Sequence, residues 1–179
     1  MVFEEKKISS ERIYEGAILN LRKDTVTAPK GTAYREIVEH NGAVAIVPIT
    51  DEGKLVMVKQ FRYPSGKVIL EIPAGKIDEG ETDPLQTARR ELKEETGYAA
   101  DSMHYLGKIN PSVAYTEEVI HLYAATGLTP GETSFDDDEA LDILEYDFKE
   151  AYQMAACGQM VDAKTIAAIF MAKEQLGIK

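Results

Sequence analysis

"DPLQTARRELKEETG", residues 83–97, decides the fold of this chain. Asp83 is placed to cap a helix, Pro84 suits its first position, and Gly97 suits the residue just past its end. Leu85, Ala88 and Leu92 recur at helical spacing and mark an inner face. Glu91, Glu94 and Glu95 also fall on one face, and each such like-charge pair destabilises an isolated helix by roughly 0.2–0.5 kcal/mol. They sit near the C-terminal end, where the helix dipole disfavours negative charge.

Taken alone, the cluster is an acidic face in solvent. Its neighbours argue for a cation instead. A Gly-containing loop, "AGKIDEGETD", leads directly into the helix. Arg90 stands within the cluster and can pair with Glu94 or with loop Glu81. A divalent ion would relieve both the repulsion and the dipole penalty. Carboxylate oxygens suit Mg²⁺ or Mn²⁺, ions that keep waters and bridge to phosphates.

Around this helix the chain reads as mostly strands. "AILNLRKDTVTAPKGTAYREIVEH" carries a turn signal at residues 29–31 and predicts a hairpin. "GAVAIVPIT" and "KLVMVKQFR", separated by "DEG", predict a second hairpin. "KVILEIPAG" predicts a strand stopped at Pro73, and "HYLGKI", "EVIHLYAAT" and "LDILEYD" predict three more. Two helices close the chain, one from about Asp147 and one from about Asp162 to Leu176. The expectation is an α+β domain, a mixed and largely antiparallel sheet with one central helix and C-terminal helices packed on it.

Composition narrows the function. The 179 residues suit one domain, and the hydrophobic fraction of 44% is ordinary for a globular chain. Asp and Glu outnumber Lys and Arg by 31 to 20, a net charge of −11, which suits neither nucleic acid nor an unassisted anionic substrate. The longest apolar run, "AVAIVPI", is too short for a membrane span, and no signal peptide is expected. The single cysteine, Cys157, allows no internal disulfide, fits a cytoplasmic location, and is expected to be a buried or half-buried thiol. His40, His104 and His121 are scattered, with no zinc spacing among them. No Gly-x-Ser-x-Gly elbow, Walker loop or dinucleotide glycine pattern is present, so covalent catalysis has no support.

"GKIDEGETDPLQTARRELKEETGY", residues 75–98, resembles the Nudix box: Gly, five residues, Glu, seven residues, then Arg-Glu-U-x-Glu-Glu-x-Gly-U, with U bulky and apolar. Gly75, Glu81, Arg90, Glu91, Leu92, Glu94, Glu95, Gly97 and Tyr98 fill its fixed positions. One departure stands out: eight residues separate Glu81 from Arg90, and the extra one is placed at Thr82–Asp83, ahead of the helix. "YREIVEHNGAVAIVPIT", "VKQFRYP" and "LEIPAGKID" extend the resemblance to the ADP-ribose pyrophosphatase branch, and Pro111 fits a proline found beyond the box in that branch.

The resemblance implies a Nudix-type α-β-α sandwich over residues 41–179. It also implies an antiparallel hairpin region over residues 1–40 that serves a homodimer and its adenine pocket. It implies Mg²⁺, or Mn²⁺ in its place, held by Glu91, Glu95 and the Ala74 carbonyl, with Glu94 and Arg90 alongside. The water-directing base falls in "SFDDDEALD", at Glu139, with Asp137 as second choice. Arg62 would contact phosphate or the terminal ribose. Arg35 and Glu36 would contact adenine or the dimer partner, Tyr14 would stack on the base, and Glu118 would reach the ribose-phosphate end. Read without the resemblance, Arg35, Glu36 and Tyr14 are structural positions. The implied reaction is hydrolysis of ADP-ribose to AMP and ribose 5-phosphate. Another nucleoside diphosphate derivative, or a non-catalytic ligand sensor, is the alternative.

Overall fold

A computed structural model describes residues 2–135 and 140–178. The chain divides into two compact units, Met1–Gly42 with Asn110–Val119, and Ala43–Ile109 with Ile120–Lys179.

In the first unit, β1 (Lys7–Glu15), β2 (Asn20–Ala28) and β3 (Gly31–Glu39) form an antiparallel sheet in that order. The expected turn at Pro29–Lys30 joins β2 to β3, with Ala28 opposite Gly31. The region is three-stranded rather than a simple hairpin, because β1 adds along β2 from Lys7↔Val26 to Glu15↔Asn20. Residues 110–119 are tied to this sheet by the Val38 N–H to the Tyr115 carbonyl (2.7 Å) and the Glu117 N–H to the Val38 carbonyl (3.0 Å). Arg22 strengthens the tie by donating to both Glu117 and Glu39.

The second unit is layered around β4 (Ala43–Pro48). This strand runs parallel to β9 (Ile120–Thr129) and antiparallel to the short β7 (Ala74–Lys76), while β8 (Ala99–Ile109) pairs with β9. A second sheet orders β10 (Leu141–Asp147), β5 (Lys54–Arg62) and β6 (Lys67–Glu71). Alternation along β4 feeds two cores. Val44 and Ile46 pack with Ala88 and Leu92 of α1 (Pro84–Thr96). Ala45 and Val47 pack with Phe148 and Ala151 of α2 (Phe148–Ala156) and Ala168 and Ile169 of α3 (Ala163–Leu176). Helices thus cover both sides of the strands, the α-β-α arrangement.

Three expectations need correction. β4 and β5 are not a hairpin: past the turn they share only the isolated Ile49↔Leu55 bridge as a ladder pair among the described residues, and then enter different sheets. Apolar residues fill both faces of β4, so it takes a central place between β7 and β9 rather than a place beside its sequence neighbour. The strand around Pro73 is in fact two, β6 and β7, in separate sheets, and the Pro73 carbonyl accepts from the Ile46 N–H at 2.9 Å as the chain crosses. Cys157 is exposed rather than buried, because it stands at the C-cap, past the last residue of α2. Among the described residues no helix is long and apolar enough to cross a membrane.

Candidate active site

α1 forms where its caps demand. The Asp83 carboxylate accepts from the Leu85 N–H at 3.0 Å, Pro84 takes the first position, and Gly97 closes the helix at φ 74°. The buried positions are Thr87, Ala88, Glu91, Leu92, Glu95 and Thr96. Two of the three clustered glutamates therefore face inward, with Glu91 only 9% exposed and Glu95 4%. That burial rules out a merely solvated acidic face, since a buried carboxylate is costly unless partnered.

Their surroundings are built from β7, the loop after it, and α1 itself. The Ala74 N–H donates to Glu95 Oε2 at 3.0 Å. Gly75 lies directly against Glu91: a Cβ there would fall 1.9 Å from the carboxyl carbon. Arg90 gathers the remaining charge, with Nη1 2.8 Å from both Glu91 and Glu94 and Nε 3.3 Å from Glu81. Partial burial works against the Arg90 charge, but the carboxylates outweigh it and hold the guanidinium more firmly protonated than usual. Glu81 in turn accepts from the Asp78 N–H and the Thr87 hydroxyl, each at 3.0 Å, so the loop folds around its carboxylate. The Asp78 N–H and Arg90 together hold the Glu81 carboxyl below its usual range. The longer spacer of the box does not separate Glu81 from Arg90.

Among the described residues, no three His, Cys, Asp or Glu side chains converge as a ready cation cage. The donor set nonetheless fits a hard divalent ion. Glu91 and Glu95 offer buried carboxylate oxygens one helical turn apart, and the missing Cβ of Gly75 makes the room in which Glu91 sits.

Arg62 ends β5 in the same unit. Its Nε and Nη2 donate to Glu71 at 2.7 and 3.0 Å, and Lys164 pairs with the same carboxylate. Bonding to Glu71 stabilises the Arg62 charge against partial burial, and the charge of Glu95 adds to this. Burial would raise the Glu71 carboxyl, yet Arg62 and Lys164 bring it below the ordinary value. These residues line a cleft of about 510 Å³ with Lys67, Ile69 and Val161.

The structure brings together Ala74, Arg90, Glu91, Glu94 and Glu95. Tyr14, Arg35, Glu36 and Glu118 belong to the first unit. Tyr14 is exposed on β1, Arg35 is bonded to Glu5, and Glu36 stands opposite Lys23. The Glu118 carboxylate lies 4.0 Å from His40 Nδ1. These four make no hydrogen bond or ion pair with one another among the described residues. Glu139 and Asp137 lie outside the described residues; the segment before them is tied to α1 by the Ser134 N–H, which donates to the Glu94 carbonyl at 3.0 Å. Sequence reasoning missed Glu71 and Lys164. A lone acid in the apolar run "VILEI" is a signal for the first, but nothing local announces a partner 93 positions away.

A buried acidic helix under a glycine-bearing strand, with an arginine-lined cleft in the same unit, offers a donor set suited to a hard divalent ion beside a basic cleft suited to an anion. The model of the NUDIX domain matches residues 39–169, and that of the nucleoside diphosphate sugar hydrolase N-terminal domain matches residues 5–36. The chain belongs to the Nudix family. It is 45% identical to a methanol dehydrogenase activator of Bacillus methanolicus, over 99% of this chain and 97% of that one. It is 42% identical to an ADP-ribose pyrophosphatase of Bacillus subtilis (93% and 91% covered) and 38% identical to one of Mycobacterium tuberculosis (90% and 80%). A solved ADP compounds hydrolase shares the fold at a TM-score of 0.85 and 22% identity, over 99% of this chain and 96% of that one. Hydrolases of this family generally require a divalent metal.

Proposed function

We propose that this protein hydrolyses the pyrophosphate bond of ADP-ribose, giving AMP and ribose 5-phosphate. The observation that carries the reading is the pair of inward-facing carboxylates, Glu91 and Glu95, against Ala74 and Gly75. The relatives named ADP-ribose pyrophosphatase support the choice of substrate.

In this reading Glu91, Glu95 and the Ala74 carbonyl hold Mg²⁺, with Mn²⁺ able to replace it. An ion held there would supply neutralising charge for the diphosphate and a more acidic water. Arg90 keeps Glu91 and Glu94 in place by pairing with both. Arg62 takes a phosphate oxygen with its planar fork. Glu139, or Asp137 in its stead, accepts the proton of the attacking water. Residues 1–40 serve a homodimer in which Tyr14, Arg35 and Glu36 contribute to the adenine pocket, and Glu118 meets the ribose-phosphate end. Residues 41–179 carry the chemistry, in the cytoplasm.

The test is incubation with ADP-ribose, sugar nucleotides, dinucleotides and NADH in the presence of Mg²⁺, followed by chromatographic separation of products. AMP and ribose 5-phosphate from ADP-ribose, formed faster than any other products, are expected. Faster turnover of another diphosphate would replace the substrate, and binding without turnover would make the protein a sensor. A mass in solution equal to one chain, at full activity, would remove the dimer.

A further inference from the structure

Glu71 is the one charge in the apolar run "VILEI", and it is 2% exposed. A buried carboxylate left without a partner is costly, and here two cations share it. Arg62 reaches it from the neighbouring strand through Nε and Nη2, which uses two of the five N–H donors of the fork. Lys164 reaches it from the first turn of α3.

Lys164 is itself held in place. Asp162 pairs with it at 3.1 Å and caps α3 by accepting from the Thr165 N–H at 3.0 Å. The Thr165 hydroxyl donates to Asp162 at 2.6 Å and accepts from the Ile72 N–H at 3.0 Å. Ile72 follows Glu71 in the chain, so these bonds close a ring joining the end of β6 to the start of α3. The adjoining cleft holds three bases, Arg62, Lys67 and Lys164, against two acids, Glu71 and Asp162. In a chain of net charge −11 this is a local reversal of sign, suited to an anion.

We propose that Lys164 is a positioning residue for the reaction. Through Glu71 it fixes the Arg62 fork, so that the C-terminal helix sets how tightly the phosphate half of the substrate is held. This role rests on the pyrophosphatase reading above. Without Lys164 the Glu71 carboxylate loses its second anchor, and the Arg62 fork already bonded to it is free to shift with it, away from the cleft.

The experiment is steady-state kinetics on ADP-ribose at saturating Mg²⁺ for the wild type, Lys164→Met, Lys164→Arg, Arg62→Ala and the double variant Arg62→Ala/Lys164→Met, each checked by thermal melting. Lys164→Met is expected to raise KM about tenfold while kcat stays within about threefold, and Lys164→Arg to restore most of the loss. In the Arg62→Ala background the same lysine change is expected to move KM by less than about twofold, the sign of action through a shared partner. Equal KM effects in both backgrounds, or none in either, would overturn the positioning role. If Lys164→Met does not fold, the isosteric Glu71→Gln replaces it, alone and with Arg62→Ala, with the same expected dependence on Arg62. A wild type inactive on ADP-ribose overturns the functional reading; additive effects in an active wild type overturn only this one.

Discussion

Gly75 and Glu91 are in such close approach that any side chain at Gly75 would occupy the space of the Glu91 carboxylate. The obstructing atoms are the far end of a flexible side chain, so Glu91 can swing aside with little harm to the fold. Gly75→Ala is therefore expected to melt within a few degrees of the wild type. Turnover of ADP-ribose is expected to fall about 10²-fold, since misplacing a reacting group by about 1 Å costs that much. Comparing melting temperature with kcat checks this, and unchanged turnover would mean that Glu91 does not act from its observed position.

Arg90 is the countercharge of the acidic helix, paired with Glu81, Glu91 and Glu94. Arg90→Met leaves these carboxylates to repel one another, and a loss of about 1–3 kcal/mol is expected from breaking such a network. On the proposed metal site, added Mn²⁺ would supply positive charge to the same carboxylates, and an ion that binds the folded chain better than the unfolded one raises the melting temperature. The rise is expected to be larger in Arg90→Met than in the wild type and to vanish once Glu95→Gln is added. Thermal melts with and without Mn²⁺ measure it; a rise that survives Glu95→Gln would place the ion elsewhere.

How far the sequence could be read depends on the range of the interactions. α1 was legible because its signals are local: Asp83, Pro84 and Gly97 each act within one turn. The Pro29–Lys30 turn was legible for the same reason. Sheet membership was not. Leu55 to Val58 and Val44 to Pro48 are both apolar runs beside a short turn, and nothing in either run says that β4 would pair with β9 in parallel. The box residues could be assigned a cation because carboxylates crowd together on one helix. Glu71 could be flagged as a buried acid, but its partner on α3 arrives by the tertiary fold alone.

The same acid predicts a pH effect. The Glu71 carboxyl is held below its ordinary value of 4.5, because bonds to Arg62 and Lys164 outweigh the burial that would raise it. A group with a depressed folded pKa stabilises the native state fully above its unfolded value, and the gain is lost as pH falls through the folded value. The wild type should accordingly lose stability from about pH 4.5 downward. Glu71→Gln, which has no proton to take up, should be less stable near neutrality and show a shallower acid slope. Melting temperature followed from neutrality to pH 3 compares the two. Parallel curves would show that Glu71 does not contribute to the acid limb.

Thr165 offers a test of the junction between β6 and α3 that leaves every charge in place. Its side chain is fully buried, and its hydroxyl is the acceptor for the Ile72 N–H and a donor to Asp162. Thr165→Val keeps the shape but leaves a buried N–H without its acceptor, which costs about 1–3 kcal/mol. For a chain of this size that corresponds to roughly 2–4 °C per kcal/mol in melting temperature. Thr165→Ser keeps the hydroxyl and loses only a methyl, so its loss is expected to be about 1 kcal/mol. A Val variant that melts no lower than the Ser variant would mean that Ile72 finds another acceptor, and the ring between β6 and α3 would then not depend on this hydroxyl.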